Sequence, residues 1–137
     1  MIYAVIDTNV FVSALLSHYN DTATVRVVSA ISKMGLCPLY NEEIVAEYED
    51  VLNRPKFHFP SQAIAAILNK VLDAGISTNR TYSSEHFPDP KDVVFYEVAL
   101  SKEDAFLVTG NKKHFPQKPI VVTPAEMLEI LKREGIL

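Results

Sequence analysis

The sequence lacks several features that would place it in a particular class of protein. It has no uninterrupted apolar run of about 18 or more residues, the length that a membrane span needs. Its N-terminus shows neither a basic region nor a cleavable small-residue site, so no secretory signal is expected. Its single cysteine, Cys37, cannot form an internal disulfide and is interpreted as a small buried hydrophobe. These absences predict a cytoplasmic protein without a membrane partner.

An excess of positive charge is missing as well. The 137 residues include 13 Lys and Arg against 17 Asp and Glu, which gives a formal net charge of −4. Proteins that bind nucleic acids usually have a basic surface, so this balance argues weakly against them unless several acids are gathered in one metal site. With 48% hydrophobic residues and no repeats, the chain is expected to form one domain over residues 1–137.

Apolar segments of strand length alternate with segments of helical periodicity. Strands are predicted at residues 2–8, 36–40, near 76–81, 105–110 and 119–123. Helices are predicted at 10–17, 22–34, 42–53, 61–75, from 90 to about 102 and from 124 onwards. This order predicts an α/β fold, a three-layer α/β/α sandwich around a mostly parallel sheet.

Capping residues predict where three of these helices begin and where one ends. Asn20 or Asp21 is expected to begin the second helix, and Gly35 to end it. Asn41 and Ser61 stand in capping positions for the next two helices.

The first strand, in "MIYAVIDTNVFVSALL", runs directly into a carboxylate. Asp7 follows an apolar run that is typical of a strand covered on both faces. In an open parallel sheet the carboxyl ends of the strands and the N-termini of the following helices share one edge, where ligands bind. A charge at that place must be paired, coordinated or solvated. Asp7 is therefore predicted to belong to a ligand site, with Asn9 beside it.

A second pair of acids begins the helix in "DPKDVVFYEVAL". Asp89 is expected at the N-cap, Pro90 at the first helical position and Asp92 at the third, on the same edge of the sheet as Asp7. Asp92 falls among apolar residues of its helix and is expected to face the interior. The alternatives are that Asp92 only compensates the helix dipole and that Asp89 only caps the helix.

In the segment "NEEIVAEYEDVL", either of two glutamates could belong to the site. Glu47 and Glu49 both border the apolar stripe of the predicted helix, on opposite sides, and periodicity does not choose between them. Glu42, Glu43 and Asp50 are expected to form a solvated face.

Polar residues also flank the strand in "DAFLVTGN". Asn111 follows this strand as Asp7 follows the first, so it can offer a neutral oxygen at the same edge. Asp104 precedes the strand and is expected at the opposite edge, away from the site.

Two loops combine basic and aromatic residues and could bind phosphates and bases of a single-stranded nucleic acid. The basic residues are Arg54, Lys56 and His58 in "NRPKFHF" and Lys112, Lys113 and His114 in "NKKHF". The alternative is that both are ordinary solvated loops whose Phe57 and Phe115 are buried in the core.

Four blocks of the sequence together resemble a PIN domain, over nearly the whole chain. They are "VIDTNVFVSALL", "NEEIVAEYEDVLNRPKF", "DPKDVVFYEVAL" and "FLVTGNKKHFP", in this order. The spacing is similar to the PIN branch of putative toxins of toxin-antitoxin modules, related to VapC-type toxins. The resemblance implies a metal-dependent ribonuclease, an antitoxin protein as a possible partner, and a homodimer.

The resemblance also assigns the site. The first acid of the family matches Asp7 with Asn9 as a polar support, the helix glutamate matches Glu47, and the third acid matches Asp92 with Asp89 as its nearby alternate. The position after "VTG", frequently Asp in the family, is Asn111 here, which weakens a second metal position.

These residues suit phosphodiester hydrolysis because bare carboxylates repel a phosphate, whereas a bound Mg²⁺ or Mn²⁺ reverses the local charge and lowers the pKa of its water. Such hard cations take oxygen ligands. We expect Asp7 and Asp92 to hold the principal ion, directly or through water, and Glu47 to complete the shell or orient the attacking water. Asn9 and Thr109 would hold these groups in place.

Three other readings compete with a ribonuclease. A phosphatase of the haloacid dehalogenase type would need a second acid where Asn9 stands, and a response-regulator receiver would need an aspartate after a central strand, where "LCPLYNEE" has none. The third reading is a PIN fold that binds RNA or a partner protein without turnover, because Asn111 replaces an acid.

Overall fold

The computed structural model describes all 137 residues as alternating strands and helices. The strands are β1 (Ile2–Ile6), β2 (Leu36–Tyr40), β3 (Ile76–Ser77), β4 (Phe106–Val108) and β5 (Val121–Val122). The helices are α1 (Thr8–Leu16), α2 (Ala23–Ser29), α3 (Glu42–Leu52), α4 (Ser61–Ala74), α5 (Val93–Leu100) and α6 (Pro124–Arg133). Three 3₁₀ turns span Pro55–Phe57, Pro90–Asp92 and Lys112–His114. None of the helices combines the length and apolarity of a membrane span.

The five strands form one parallel sheet in the order β3-β2-β1-β4-β5. Helices cover both faces, which confirms the predicted α/β/α architecture. The chain builds the sheet outward from β1 on one side through β2 and β3, and then on the other side through β4 and β5. This change of direction creates a topological switch point between β1 and β4, where such sheets form a crevice at their carboxyl ends.

The hydrophobic core fixes the end of β1. Ala4, Val5 and Ile6 are fully buried, and Phe11 of α1 packs edge-on against Tyr48 of α3 with ring centroids 5.0 Å apart. The Tyr48 hydroxyl donates a hydrogen bond to the carbonyl of Ile6. Two helices and the last residue of the strand are therefore locked together directly before Asp7.

The start of the chain differs from the prediction in its boundaries. β1 ends at Ile6, not at residue 8, because Asp7 is already the N-cap of α1. α2 is capped by Thr22, whose side chain accepts a hydrogen bond from the Val25 amide, so the predicted caps Asn20 and Asp21 are wrong.

The predicted role of Gly35 as the end of α2 is also wrong. α2 ends at Ser29, and the chain turns at Ile31, which forms an isolated bridge with Leu36. A Cβ atom at Gly35 would lie 2.8 Å from the carbonyl oxygen of Ala30, so a side chain would not fit into this turn. Close approach of the backbone, rather than helix capping, explains this glycine.

Three later helix starts test the capping predictions. Asn41 caps α3 as predicted, because its Oδ1 accepts a hydrogen bond from the Ile44 amide at 2.9 Å. The prediction for Ser61 is wrong, since Ser61 is the first residue of α4 and Pro60 is the N-cap, without a side-chain bond. Asp89 caps its helix start as predicted, but the first turn, Pro90–Asp92, is 3₁₀ and α5 begins only at Val93.

Candidate active site

Asp7 lies at the switch point and is held by the strand next to its own. Its amide donates to the carbonyl of Val108 at 2.9 Å, which aligns it with the end of β4. Its Oδ2 accepts hydrogen bonds from the hydroxyl of Thr109 at 2.8 Å and from Nδ2 of Asn9 at 3.1 Å. Both bonds end on the same oxygen, so Oδ1 has no side-chain partner. Only 8% of the residue is exposed.

A network of polar contacts joins the ends of β1 and β4. Oδ1 of Asn9 accepts from the Gly110 amide at 3.0 Å, and the Thr109 hydroxyl accepts from the Asn111 amide at 3.0 Å. Thr109 is completely buried. The two residues predicted to support the site therefore contact Asp7 and also fix the loop that follows β4.

The electrostatic state of Asp7 reflects its burial. Loss of hydration raises the pKa of this carboxyl from 3.8 to about 6, and repulsion from Asp92 contributes to the rise. The hydrogen bond from Thr109 and the nearby His114 lower the pKa but do not offset the burial. Burial, together with the charge of Asp7, also raises the pKa of the Tyr48 hydroxyl well above its usual range. The position thus favours an added positive charge.

Asp92 is the second carboxylate at this edge and is partly buried. It lies at the junction of the 3₁₀ turn and α5, and its side chain is 15% exposed. Its Oδ2 lies 3.3 Å from Nδ1 of His114 but accepts no hydrogen bond. Burial raises the pKa of Asp92, repulsion from Asp89 and Glu47 adds to this, and His114 lowers it. Asp92 therefore lies close enough to both Asp7 and Glu47 for electrostatic repulsion within each pair.

The structure separates the two glutamates that periodicity left open. Glu47 is half-buried and lines a cleft with Glu43, Arg80, Pro90, Lys91 and Val94, and its charge raises the pKa of Asp92. Glu49 is exposed and borders a different depression, beside Tyr40 and Leu72. Of the two, Glu47 is the one that faces the acids.

The remaining polar candidates lie at the margin or elsewhere. Asp89 is exposed, and its Oδ1 accepts from the Lys91 amide at 3.0 Å, which is a capping contact. The side chain of Asn111 is half-buried and makes no hydrogen bond. Asp104 lies in the turn before β4 with a φ of 64°, at the edge opposite to Asp7, as predicted.

The acids at this edge offer carboxylate oxygens for a divalent ion. No group of three or more His, Cys, Asp or Glu side chains lies close enough to hold one metal ion. However, the two buried side-chain polar atoms that lack a hydrogen-bond partner are Thr8 Oγ1 and Asp92 Oδ2, next to Asp7 in sequence or in space. Such atoms are expected where water or an ion binds. Mg²⁺ is usually held by one or two carboxylates plus waters, and Asp7 with Asp92 fits that arrangement.

The basic residues divide into two groups. Arg54 is paired with Asp50 at 3.2 Å, and Nζ of Lys56 lies 5.1 Å from the centroid of the Phe57 ring. Arg54 follows Glu47 by seven residues and lies beyond the end of α3, before the 3₁₀ turn Pro55–Phe57. Lys112 and Lys113 share the 3₁₀ turn of His114 and thus stand close to Asp92. Lys112 pairs with Glu126 at 3.2 Å, whereas Lys113 forms no ion pair.

Sequence reasoning missed an ion-pair network beside Glu47. Arg80 bonds Glu97 of α5 through Nε and Nη2, at 2.9 and 2.8 Å, and both carboxylate oxygens of Glu43 of α3 through Nη1. Oε2 of the buried Glu97 also accepts from the Ser83 amide at 2.8 Å. The segment between β3 and α5 is thereby tied to both helices that border the cleft. The one charged residue inside the apolar helix "VVFYEVAL" was the available signal.

Comparison with known proteins agrees with this geometry. A family model described as PIN domain matches residues 3–113. No curated protein and no solved structure matches the chain. PIN domains are typically nucleases, and the family generally uses divalent metal ions. The match covers most of the chain, including Asp7, Glu47, Asp92 and Asn111 and ending one residue before His114, and the chain therefore belongs to the PIN domain family.

Proposed function

We propose that this protein is a metal-dependent ribonuclease that hydrolyses phosphodiester bonds in single-stranded RNA. The observation that supports this most directly is the pair of carboxylates at the switch point of a parallel sheet, the buried Asp7 and the partly buried Asp92. Burial raises the pKa of both groups, repulsion from Asp92 adds to the rise at Asp7, repulsion from Asp89 and Glu47 adds to the rise at Asp92, and no Lys or Arg side chain pairs with either of them. Family membership provides the reaction class, since PIN domains are typically nucleases.

Each residue of the site has a distinct task in this proposal. Bound Mg²⁺ or Mn²⁺ supplies Lewis-acid activation of a water molecule and neutralises charge on the phosphate oxygens. Asp7 and Asp92 would hold the ion, directly or through water. Thr109 and Asn9 orient Asp7 by binding its Oδ2, which leaves Oδ1 available as a ligand. Glu47, at the border of the cleft, completes the shell or accepts a proton from the attacking water.

The RNA strand would pass the turn after β4. Lys113 is exposed without an ion pair, and Lys112 lies next to it, so both can contact phosphates near the acids. Arg54 and Lys56 would bind the strand farther from the cut, beyond the end of α3. Because only Lys56 and Lys113 of these four basic residues form no ion pair, binding should be weak and sensitive to salt.

The test of this proposal is cleavage of labelled single-stranded RNA in Mn²⁺, in Mg²⁺ and in EDTA. We expect cleavage only with metal, no detectable cleavage by Asp7→Asn, and a loss on the order of 100-fold or more for Glu47→Gln if it serves as the base. Glu49→Gln is the matched control, because it removes the same charge from an exposed position of the same helix. Cleavage in EDTA, or by Asp7→Asn, would refute the proposal.

The biological role we propose is the toxin component of a toxin-antitoxin pair. The four sequence blocks that resemble this branch of the family support it, and an antitoxin segment would then block the cleft at Asp7. We also expect a homodimer. Expression of the wild type should arrest growth, Asp7→Asn should not, and co-expression of a neighbouring small open reading frame should restore growth. Equal growth with the wild type and Asp7→Asn would contradict the role.

One specific observation favours a second function, a PIN domain that binds RNA or a partner without turnover. No three acidic side chains lie close enough together to bind one metal ion. In addition, the loop after β4 carries Asn111 in place of an acid, and its side chain makes no hydrogen bond. RNA that is bound but never cut would support this function. Gain of cleavage by Asn111→Asp would then show that the missing acid is the cause.

A further inference from the structure

His114 lies three residues beyond Asn111, the position that the family resemblance assigned to the site. The 3₁₀ turn Lys112–His114 is separated from the end of β4 by three residues and brings the imidazole of His114 to Asp92. Nδ1 of His114 lies 3.3 Å from Oδ2 of Asp92, and the charge of His114 also acts on Asp7.

The position of His114 is fixed by the core rather than by its contact with Asp92. The His114 amide donates to the Asn111 carbonyl at 3.1 Å, and the Phe115 amide donates to the Lys112 carbonyl at 3.1 Å. Phe115 is buried and packs edge-on against Phe87, with ring centroids 6.2 Å apart. The turn therefore presents His114 to Asp92 from an anchored backbone.

The contact between His114 and Asp92 is incomplete as a hydrogen bond. The two atoms are within ion-pair distance, but Oδ2 of Asp92 accepts no hydrogen bond in this arrangement. A buried carboxylate oxygen that accepts no hydrogen bond is an atom beside which water or an ion is expected, and here an imidazole nitrogen lies 3.3 Å from it.

The separation of these atoms fits two neighbouring ligands of one ion. Two donors at right angles, each about 2.1 Å from a six-coordinate ion, are about 3.0 Å apart. The observed 3.3 Å between Nδ1 and Oδ2 is close to that distance. Asp7, whose Oδ1 has no side-chain hydrogen-bond partner, can contribute through water, since the three side chains are not close enough together to bind one ion directly.

We propose that His114 is a direct ligand, through Nδ1, of the divalent ion held by Asp92, with Asp7 bound to that ion through water, and that this nitrogen makes the site select Mn²⁺ over Mg²⁺. The inference rests on the proposed nuclease site. Imidazole is a good ligand for transition-metal ions, whereas Mg²⁺ prefers oxygen, so one nitrogen in the shell favours the transition metal. A neutral ligand in place of a fourth acid also reduces the negative charge that retains Mg²⁺.

The decisive experiment is pulsed electron paramagnetic resonance of Mn²⁺ bound to the full chain, together with calorimetric titration of Mn²⁺ and Mg²⁺. We expect ¹⁴N modulation from a coordinated imidazole in the wild type and its loss in His114→Asp. His114→Ala should weaken Mn²⁺ binding by about tenfold or more and Mg²⁺ binding far less. His114→Asp should bring the two affinities closer together. Lys113→Ala, in the same turn, is the control and should change neither.

The outcomes separate this inference from the function on which it rests. Mn²⁺ that binds and supports RNA cleavage, but shows no ¹⁴N modulation, would overturn the role of His114 and leave the nuclease intact. An unchanged ratio of Mn²⁺ to Mg²⁺ affinity in His114→Ala would do the same. Failure of the wild type to bind either ion would overturn both proposals.

Discussion

Replacing Asp7 with Asn is expected to make the metal-free protein more stable at neutral pH, although it should remove activity. Burial raises the pKa of this carboxyl from 3.8 to about 6, so the folded state holds the proton more tightly than the unfolded state. Between these two values a rise in pH deprotonates the unfolded chain first and destabilises the fold. The destabilisation is complete above pH 6 and absent below about pH 3.8.

The magnitude follows from the size of the shift. Each tenfold change in proton affinity is worth about 1.4 kcal/mol, so the rise from 3.8 to about 6 corresponds to about 3 kcal/mol at pH 7.5. Asn retains an oxygen that can accept from Thr109, but loses the charge that strengthens this bond, at a cost of about 1 kcal/mol. The net gain of about 2 kcal/mol should raise the melting temperature by about 7 °C in a domain of this size.

The assay is thermal unfolding followed by circular dichroism in EDTA, at pH 7.5 and near pH 4. Asp7→Asn should melt above the wild type at pH 7.5, and the difference should largely disappear near pH 4. Glu49→Gln, which removes an exposed carboxylate, should stay within about 0.5 kcal/mol of the wild type at both pH values. A variant Asp7→Asn that is less stable than the wild type at pH 7.5 would refute the argument from burial.

Bound metal should make the wild type more stable than Asp7→Asn, the reverse of the order expected in EDTA. An ion that binds only the folded state adds about 2.7 kcal/mol of stability at a hundredfold excess over its dissociation constant. In millimolar Mn²⁺ the wild type should therefore gain several degrees in melting temperature, and Asp7→Asn should gain much less. No shift of the wild type in Mn²⁺ would count against a metal site at Asp7.

Two further changes test the framework around the cleft. Arg80→Met leaves the buried Glu97 without its cation and should lower the free energy of unfolding in urea by about 1–3 kcal/mol, a loss limited by solvent because Arg80 is one-third exposed. The control Lys132→Met, at an exposed ion pair, should lower it by less than about 0.5 kcal/mol. Equal effects of the two variants would contradict the assigned network. Tyr48→Phe removes the hydrogen bond to the Ile6 carbonyl and should cost about 1 kcal/mol with the fold retained; unchanged stability would show that this bond is not needed.

The sequence alone predicted the layered architecture because its signals are local. The alternation of apolar strands with periodic helices depends on neighbouring residues, as does the capping of α3 by Asn41 and of the helix start by Asp89. The predictions failed where the tertiary context decides. α2 stops at Ser29 because the chain turns toward β2, and no capping residue marks that point.

The site was predictable to the extent that topology brings residues to one edge. Asp7 and Asp92 follow from the rule that the carboxyl ends of parallel strands and the starts of the following helices meet, and this needs only the order of elements. The choice of Glu47 over Glu49 needed the family resemblance, because both border the same apolar stripe. In the structure, Glu47 is the half-buried one, and its charge acts on Asp92.

What the sequence by itself determined is therefore the fold class, the family and the edge of the sheet where the acids meet, since all three depend on order and periodicity along the chain. Only the tertiary structure decided that His114 faces Asp92, and that Arg80 ties α3 to α5 through Glu43 and Glu97. Both contacts join residues whose approach is set by loop geometry and side-chain packing. No pattern within one segment encodes such a distance.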